Sequence, residues 1–98
     1  MPEPRHWYLI LYDVSDRKAL RQVHKTLKAW GESVQYSVFR VRCTNRELEQ
    51  LRFELVQIMG DEDRLMVVRL CPNCASRVTI KGESLIGFEP EPPPFQIV

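Results

Sequence analysis

The run Trp7 to Asp13 (WYLILYD) constrains this chain more than any other feature. Every residue before the aspartate is aromatic or branched aliphatic, so the run lacks the alternation of a strand with one wet face. Such a strand belongs in the centre of a sheet, covered on both faces. It opens onto Val14-Ser15-Asp16, where Ser15 or Asp16 can cap a helix by accepting from its first N–H groups. Leu20, Val23, Leu27 and Trp30 then recur at helical spacing as an apolar stripe, and Gly31 supplies a stop in a left-handed conformation. Arg17, Arg21, Lys25 and Lys28 fall together on the outer face of that helix, and no acid lies between Arg17 and Gly31.

The next segment, Ser33 to Cys43 (SVQYSVFRVRC), is strongly β but changes parity. Val34, Tyr36 and Val38 would share one face, and Phe39, Val41 and Cys43 the other. A bulge, kink or change of strand near Ser37–Phe39 resolves the conflict. Thr44-Asn45-Arg46-Glu47 has the spacing of a capping box, and Leu48, Leu51, Leu55 and Ile58 mark a second helix ended by Gly60. Asp61-Glu62-Asp63 reads as a solvated turn into another buried strand, Leu65–Leu70. After a turn at Pro72-Asn73, Arg77–Lys81 alternates like a short strand, and Ser84–Phe88 offers one more. Four prolines, Pro90 and Pro92 to Pro94, stiffen the end as extended chain.

This order predicts an α+β fold, a ferredoxin-like βαββαβ sandwich with an extra C-terminal strand. Residues 1–82 would form the ferredoxin-like domain and 83–98 an extended tail packed on a dimer partner. Two helices cover one face of such a sheet, and a second copy of the sheet is the simplest cover for the other. With 98 residues the chain has room for one core. Its formal net charge of +1 directs it to no partner, but the basic helix face can hold a polyanion locally. No apolar run approaches a membrane span, and the first residues, Met1 to His6, do not resemble a signal peptide. Three cysteines, Cys43, Cys71 and Cys74, do not make a disulfide framework, so a reducing, cytoplasmic setting is expected.

Several segments together resemble the CRISPR-associated protein 2 family. They are the opening strand with Tyr12-Asp13 and Val14-Ser15-Asp16, the segment Val34-Gln35-Tyr36-Ser37-Val38-Phe39, Leu70-Cys71-Pro72-Asn73-Cys74, and Ile80-Lys81-Gly82. The likeness runs from about Trp7 to Gly82. It implies a ferredoxin-like homodimer with facing sheets, acting in spacer acquisition as the bridge between dimers of the CRISPR-associated protein 1 integrase. Some members are described as metal-dependent nucleases acting on RNA or duplex DNA, others as scaffolds. The family's aspartate maps onto Asp13 and its aromatic onto Phe39, so the resemblance makes these two the catalytic candidates. The chain departs from the family's pattern at Ser33, at Leu20 to Gln22 and at Arg40.

Asp13 can be a plain turn carboxylate or, on the resemblance, a ligand for Mg²⁺ (or Mn²⁺). One carboxylate cannot satisfy an ion that wants six oxygens, so two copies of Asp13 meeting across a dimer axis are expected to form the site. Phe39 is either core or a prop for the loop beside Asp13. Arg17, Arg21, Lys25 and Lys28 are the nucleic-acid-binding candidates: they can grip phosphates without reading sequence. Cys71-Pro72-Asn73-Cys74 has the spacing of half a zinc site whose other half is missing, and it reads as a tight turn. The leading expectation is a dimeric adaptation scaffold partnered by the integrase, with duplex DNA as its ligand and RNA as a second candidate. A free-standing metal-dependent nuclease and a small metabolite-binding regulator are the alternatives, the last disfavoured because the four glycines do not cluster into a ligand loop.

Overall fold

The computed structural model describes residues 3–79 and residue 81. Arg5–Asp13 forms β1, and Arg17–Trp30 forms α1 with Asp16 as its cap, the Asp16 Oδ2 accepting from the Ala19 N–H at 2.9 Å. Glu32–Gln35 is β2, Val38–Thr44 is β3, Asn45–Ile58 is α2 and Arg64–Leu70 is β4, followed by the single turn of helix Pro72–Ala75, α3. The sheet order is β2-β3-β1-β4, antiparallel at every pairing. Each helix crosses over one intervening strand, which is the ferredoxin-like arrangement, and β1 takes the central position its apolarity predicts.

The helices pack on the sheet face that carries Tyr8, Ile10 and Tyr12 of β1 and Phe39, Val41 and Cys43 of β3. Val23 and Leu27 of α1 and Leu48, Leu51 and Leu55 of α2 close this core. Burying side chains of this size contributes roughly 1.5–3 kcal/mol each. The capping box of α2 forms as its spacing predicts: Glu47 N–H donates to the Thr44 hydroxyl at 3.1 Å, and Thr44 N–H to the Glu47 carboxylate at 2.9 Å.

The parity break resolves as a change of strand. Tyr36 and Ser37 form a two-residue turn between β2 and β3, with Ser37 at φ 64°. A register shift between Ser33 and Gln35 bulges Val34 out of the ladder. Phe39, Val41 and Cys43 therefore point inward together.

Four expectations need correction. Gly31 is extended, at φ −164°, rather than left-handed; glycine stands there because a Cβ would lie 2.0 Å from the Arg40 carbonyl oxygen. β4 is an edge strand rather than a buried one, with Met66 60% exposed. Arg77 to Thr79 form turn and irregular chain rather than a strand, because Val78 folds back onto Trp7 and Ala75. Cys71-Pro72-Asn73-Cys74 builds the start of α3, with Cys71 as its cap. The boundary at residue 82, the tail 83–98 and the extra C-terminal strand lie outside the described residues.

The second sheet face is only partly open. Around Trp7, the side chains of Leu9, Val34, Leu70, Ala75 and Val78 form a small cluster, so α3 and the chain after it cover that end. At the other end Leu11 pairs with Met66 and Asp13 with Arg64 on the same face. Leu11, Val38, Met66 and Val68 leave an apolar stretch there that no described element covers.

Candidate nucleic-acid interface

Helical periodicity places Arg17, Arg21, Lys25 and Lys28 within one narrow stripe, and all four are exposed. The stripe runs for roughly 16 Å along α1 at the helical rise. Elsewhere several arginines are neutralised locally: Arg5 pairs with Glu47, Arg46 with Glu3, and Arg52 with Glu49. None of the four α1 cations makes an ion pair with another described residue. Their charge is therefore directed at solvent.

Arg40 has a different use. It is 9% exposed, with its guanidinium 4.5 Å from the Trp7 ring centroid and its Nε donating to Glu32 at 3.1 Å. The arginine at this departure from the family's pattern is thus built into the second sheet face, which it ties to the bulged edge strand.

Asp13 lies at the end of β1, exposed, beside an opening of about 490 Å³ lined by Leu11, Arg64 and Met66 among others. It belongs to the partly open sheet face, whereas the α1 cations lie beyond the helix layer on the opposite side. The structure therefore does not bring Asp13 and the basic stripe into one site. The nearby carboxylates are occupied: Asp16 caps α1, and Asp63 accepts from Ser15 N–H at 3.3 Å and from Gly60 N–H at 2.8 Å. Among the described residues no group of three His, Cys, Asp or Glu side chains could hold a metal. Among the described residues Asp13 therefore stands as a single carboxylate, with no second acidic side chain grouped beside it to share an ion.

Phe39 is 0% exposed and packs against Tyr12, ring centroids 6.3 Å apart, and against His24 at 5.2 Å. Enclosure of this kind is what the core alternative for Phe39 requires, and through Tyr12 the ring also props the end of β1 next to Asp13. Tyr36 has a placement that strand alternation did not suggest. It is 93% exposed, and a cavity of about 370 Å³ opens between it and α1. The parity break at Ser37 was the available signal, since it marks a turn that throws its residues outward.

The thiols differ sharply. Burial pushes Cys43 up from an ordinary value near 9 to about 11. Its proton is held more tightly folded than unfolded, so the stability it contributes is lost as pH rises from about 9 towards about 11. The Cys71 thiol is lowered by hydrogen bonds, first from the Cys74 N–H at 3.3 Å and then from the Cys74 thiol, while that neighbour raises Cys74. The pair sits at the start of a single helical turn after a strand, a placement that adds no ligand for zinc. Alkylation at neutral pH is expected to modify Cys71 first, Cys74 more slowly and Cys43 only on unfolding, by mass-spectrometric mapping. Elemental analysis should find well under one zinc per chain.

Among known proteins, residues 6–78 match the model of the family described as CRISPR associated protein Cas2. A relative named CRISPR-associated endoribonuclease Cas2 1, from Chloroflexus aurantiacus, is 35% identical over 79 residues, covering 79% of this chain and 85% of its own length. The crystal structure of Streptococcus pyogenes Cas2 at pH 6.5 superposes with a TM-score of 0.70 at 33% identity, covering 78% of this chain and 99% of the other. A chain of a partial Cas6-RT-Cas1–Cas2 complex superposes with a TM-score of 0.65 at 26% identity, covering 76% and 89%.

Proposed function

This chain belongs to the CRISPR associated protein Cas2 family, and from that premise we propose that it is a dimeric nucleic-acid-binding scaffold for spacer acquisition. Its work is to hold duplex DNA by the phosphates and to present it to the CRISPR-associated protein 1 integrase. The observation that carries this reading is the stripe Arg17, Arg21, Lys25 and Lys28, cationic, exposed and without ion pairs among the described residues. Backbone phosphates supply most non-specific affinity for nucleic acid, and such a stripe needs no base readout. The integrase partnership is supported by the solved complex in which a structurally similar chain sits with Cas1. RNA offers the same phosphates and is the second polyanion proposed. A cytoplasmic setting suits the exposed free thiols Cys71 and Cys74, and no helix among the described residues is long and apolar enough to cross a membrane.

The homodimer is proposed on the sheet face. Leu11, Met66 and Val68 are not covered by any other described element, and a second copy of that face would bury them against their own kind. A Met66→Glu, Val68→Glu double variant is expected to sediment as a monomer with its melting temperature little changed as a folded chain, while the unaltered protein sediments as a dimer. A dimer that persists undiminished in the double variant would move the interface elsewhere. Duplex binding, titrated by fluorescence anisotropy at several salt concentrations, tests the scaffold itself: affinity independent of salt would sink it.

A second reading, favoured by the exposed carboxylate of Asp13 at the uncovered end of this face and by the endoribonuclease name of the relatives, is a metal-dependent nuclease. Two copies of Asp13 would together supply the Mg²⁺ or Mn²⁺ ligands that the described residues of one chain do not group into a site.

A further inference from the structure

An aromatic ring that is 93% exposed is unusual on a chain that buries its other tyrosines, Tyr8 and Tyr12, to 3% and 6%. Tyr36 is not carried on a loose tip. Its turn is pinned from both sides: the Tyr12 N–H donates to the Ser37 carbonyl oxygen at 3.2 Å, and the Ser33 hydroxyl donates to the Gln35 carbonyl oxygen at 3.4 Å. The left-handed Ser37 fixes the direction in which the chain reverses. The backbone that carries the ring is therefore held in place, and the ring itself stands free to meet a flat partner.

Beside it lies the cavity of about 370 Å³, walled by Tyr36 on one side and by Leu20, Arg21 and His24 of α1 on the other. This volume suits one small planar group with its attached sugar. The buried Tyr12 also lines it, and burial pushes that phenol upward, so it remains a neutral hydrogen-bonding group. Gln35 and Ser33 add an amide and a hydroxyl, groups that can pair with the edge of a heterocycle. His24 is held edge-on to Phe39, so its ring orientation is set by the core.

Arg21 is the link. It lines this cavity and also stands in the middle of the cationic stripe of α1. A strand whose phosphates follow Arg17, Arg21, Lys25 and Lys28 therefore passes the mouth of the cavity. We propose that the cavity between Tyr36 and α1 takes one unpaired nucleobase of the bound nucleic acid, stacked on the Tyr36 ring with its phosphate on Arg21. This rests on the nucleic-acid-binding reading and deepens it: the preferred ligand is a duplex carrying an unpaired nucleotide, in an overhang or at a junction, rather than a blunt duplex. Every base has a face to stack, so the site selects for unpairedness and not for sequence.

Anisotropy titrations of the full chain with a blunt duplex, and with the same duplex carrying a short single-stranded overhang, test this. The unaltered protein is expected to bind the overhang duplex about 10-fold more tightly, which corresponds to about 1.4 kcal/mol. A 2-aminopurine placed in the overhang should lose fluorescence on binding. Tyr36→Ala should abolish both the preference and the quenching while leaving blunt-duplex affinity and the melting temperature unchanged, since the side chain supports nothing beneath it. Tyr36→Phe, which keeps the stacking face, should restore both. Equal affinity for the two duplexes, or a preference that survives Tyr36→Ala, overturns the proposal while leaving the scaffold reading intact. Failure to bind either duplex overturns both. Loss of association with the integrase in Tyr36→Ala, with DNA binding untouched, would make the cavity a protein-docking site and equally overturn it.

Discussion

Replacing Arg17, Arg21, Lys25 and Lys28 together by glutamine is expected to weaken duplex binding by about 100-fold at about 50 mM salt. Every phosphate that is no longer neutralised takes roughly 0.9 off the slope of log affinity against log salt, so the slope should flatten by about 3–4 per chain. The effect should be uniform across DNA sequences, because cations on phosphates position a protein without reading bases. The fold should survive the change, since the four side chains are exposed and α1 keeps Val23 and Leu27 in the core and Asp16 at its cap. Anisotropy titrations at several salt concentrations, with circular dichroism as the folding control, give the result directly. An unchanged slope would remove α1 from the interface. Spacer integration in a complex reconstituted with the integrase should fall in parallel.

Asp13→Ala should do the opposite. Any Mg²⁺- or Mn²⁺-dependent cleavage of RNA or duplex DNA is expected to drop to background, while duplex affinity stays within about twofold, because the carboxylate lies on the other side of the sheet from the cationic stripe and phosphate affinity comes from the cations. Stability should hardly move, since Asp13 is exposed at the end of β1 opposite Arg64 and caps nothing in the described residues. Integration is the discriminating readout. The scaffold reading expects it to persist in the Asp13 variant; if a folded, dimeric Asp13→Ala protein that still binds the integrase integrates nothing, the carboxylate's chemistry is the function and the scaffold reading fails.

Much of the fold could be read from the residues in order because the signals are local. A helix cap needs only a side-chain oxygen at the right offset, so Asp16 and the Thr44–Glu47 box form where their spacing places them. The inward set Phe39, Val41 and Cys43 follows from strand parity, and the cationic stripe of α1 from helical periodicity. Gly31 was legible as a stop but not for the right reason: its φ is ordinary, and what excludes a Cβ is the Arg40 carbonyl, which comes from another strand. Cys71 and Cys74 looked like a turn because Pro72 breaks a strand equally well into a turn or into the first residue of a helix.

What the sequence determined by itself, then, is which residues lie on which side of each element, because the side-chain periods of 2 and 3.6 are properties of the backbone alone. What only the tertiary structure decided is which sides meet. Pairing β1 with both β3 and β4 puts Asp13 opposite Arg64 at the uncovered end of one face, and α3 folds over the other end onto Trp7. The same packing buries Phe39 beneath His24 and Tyr12, and holds Tyr36 out beside Arg21. Those juxtapositions join residues far apart in the chain, and they exist only once burial of the shared core has repaid the entropy of closing the loops between them.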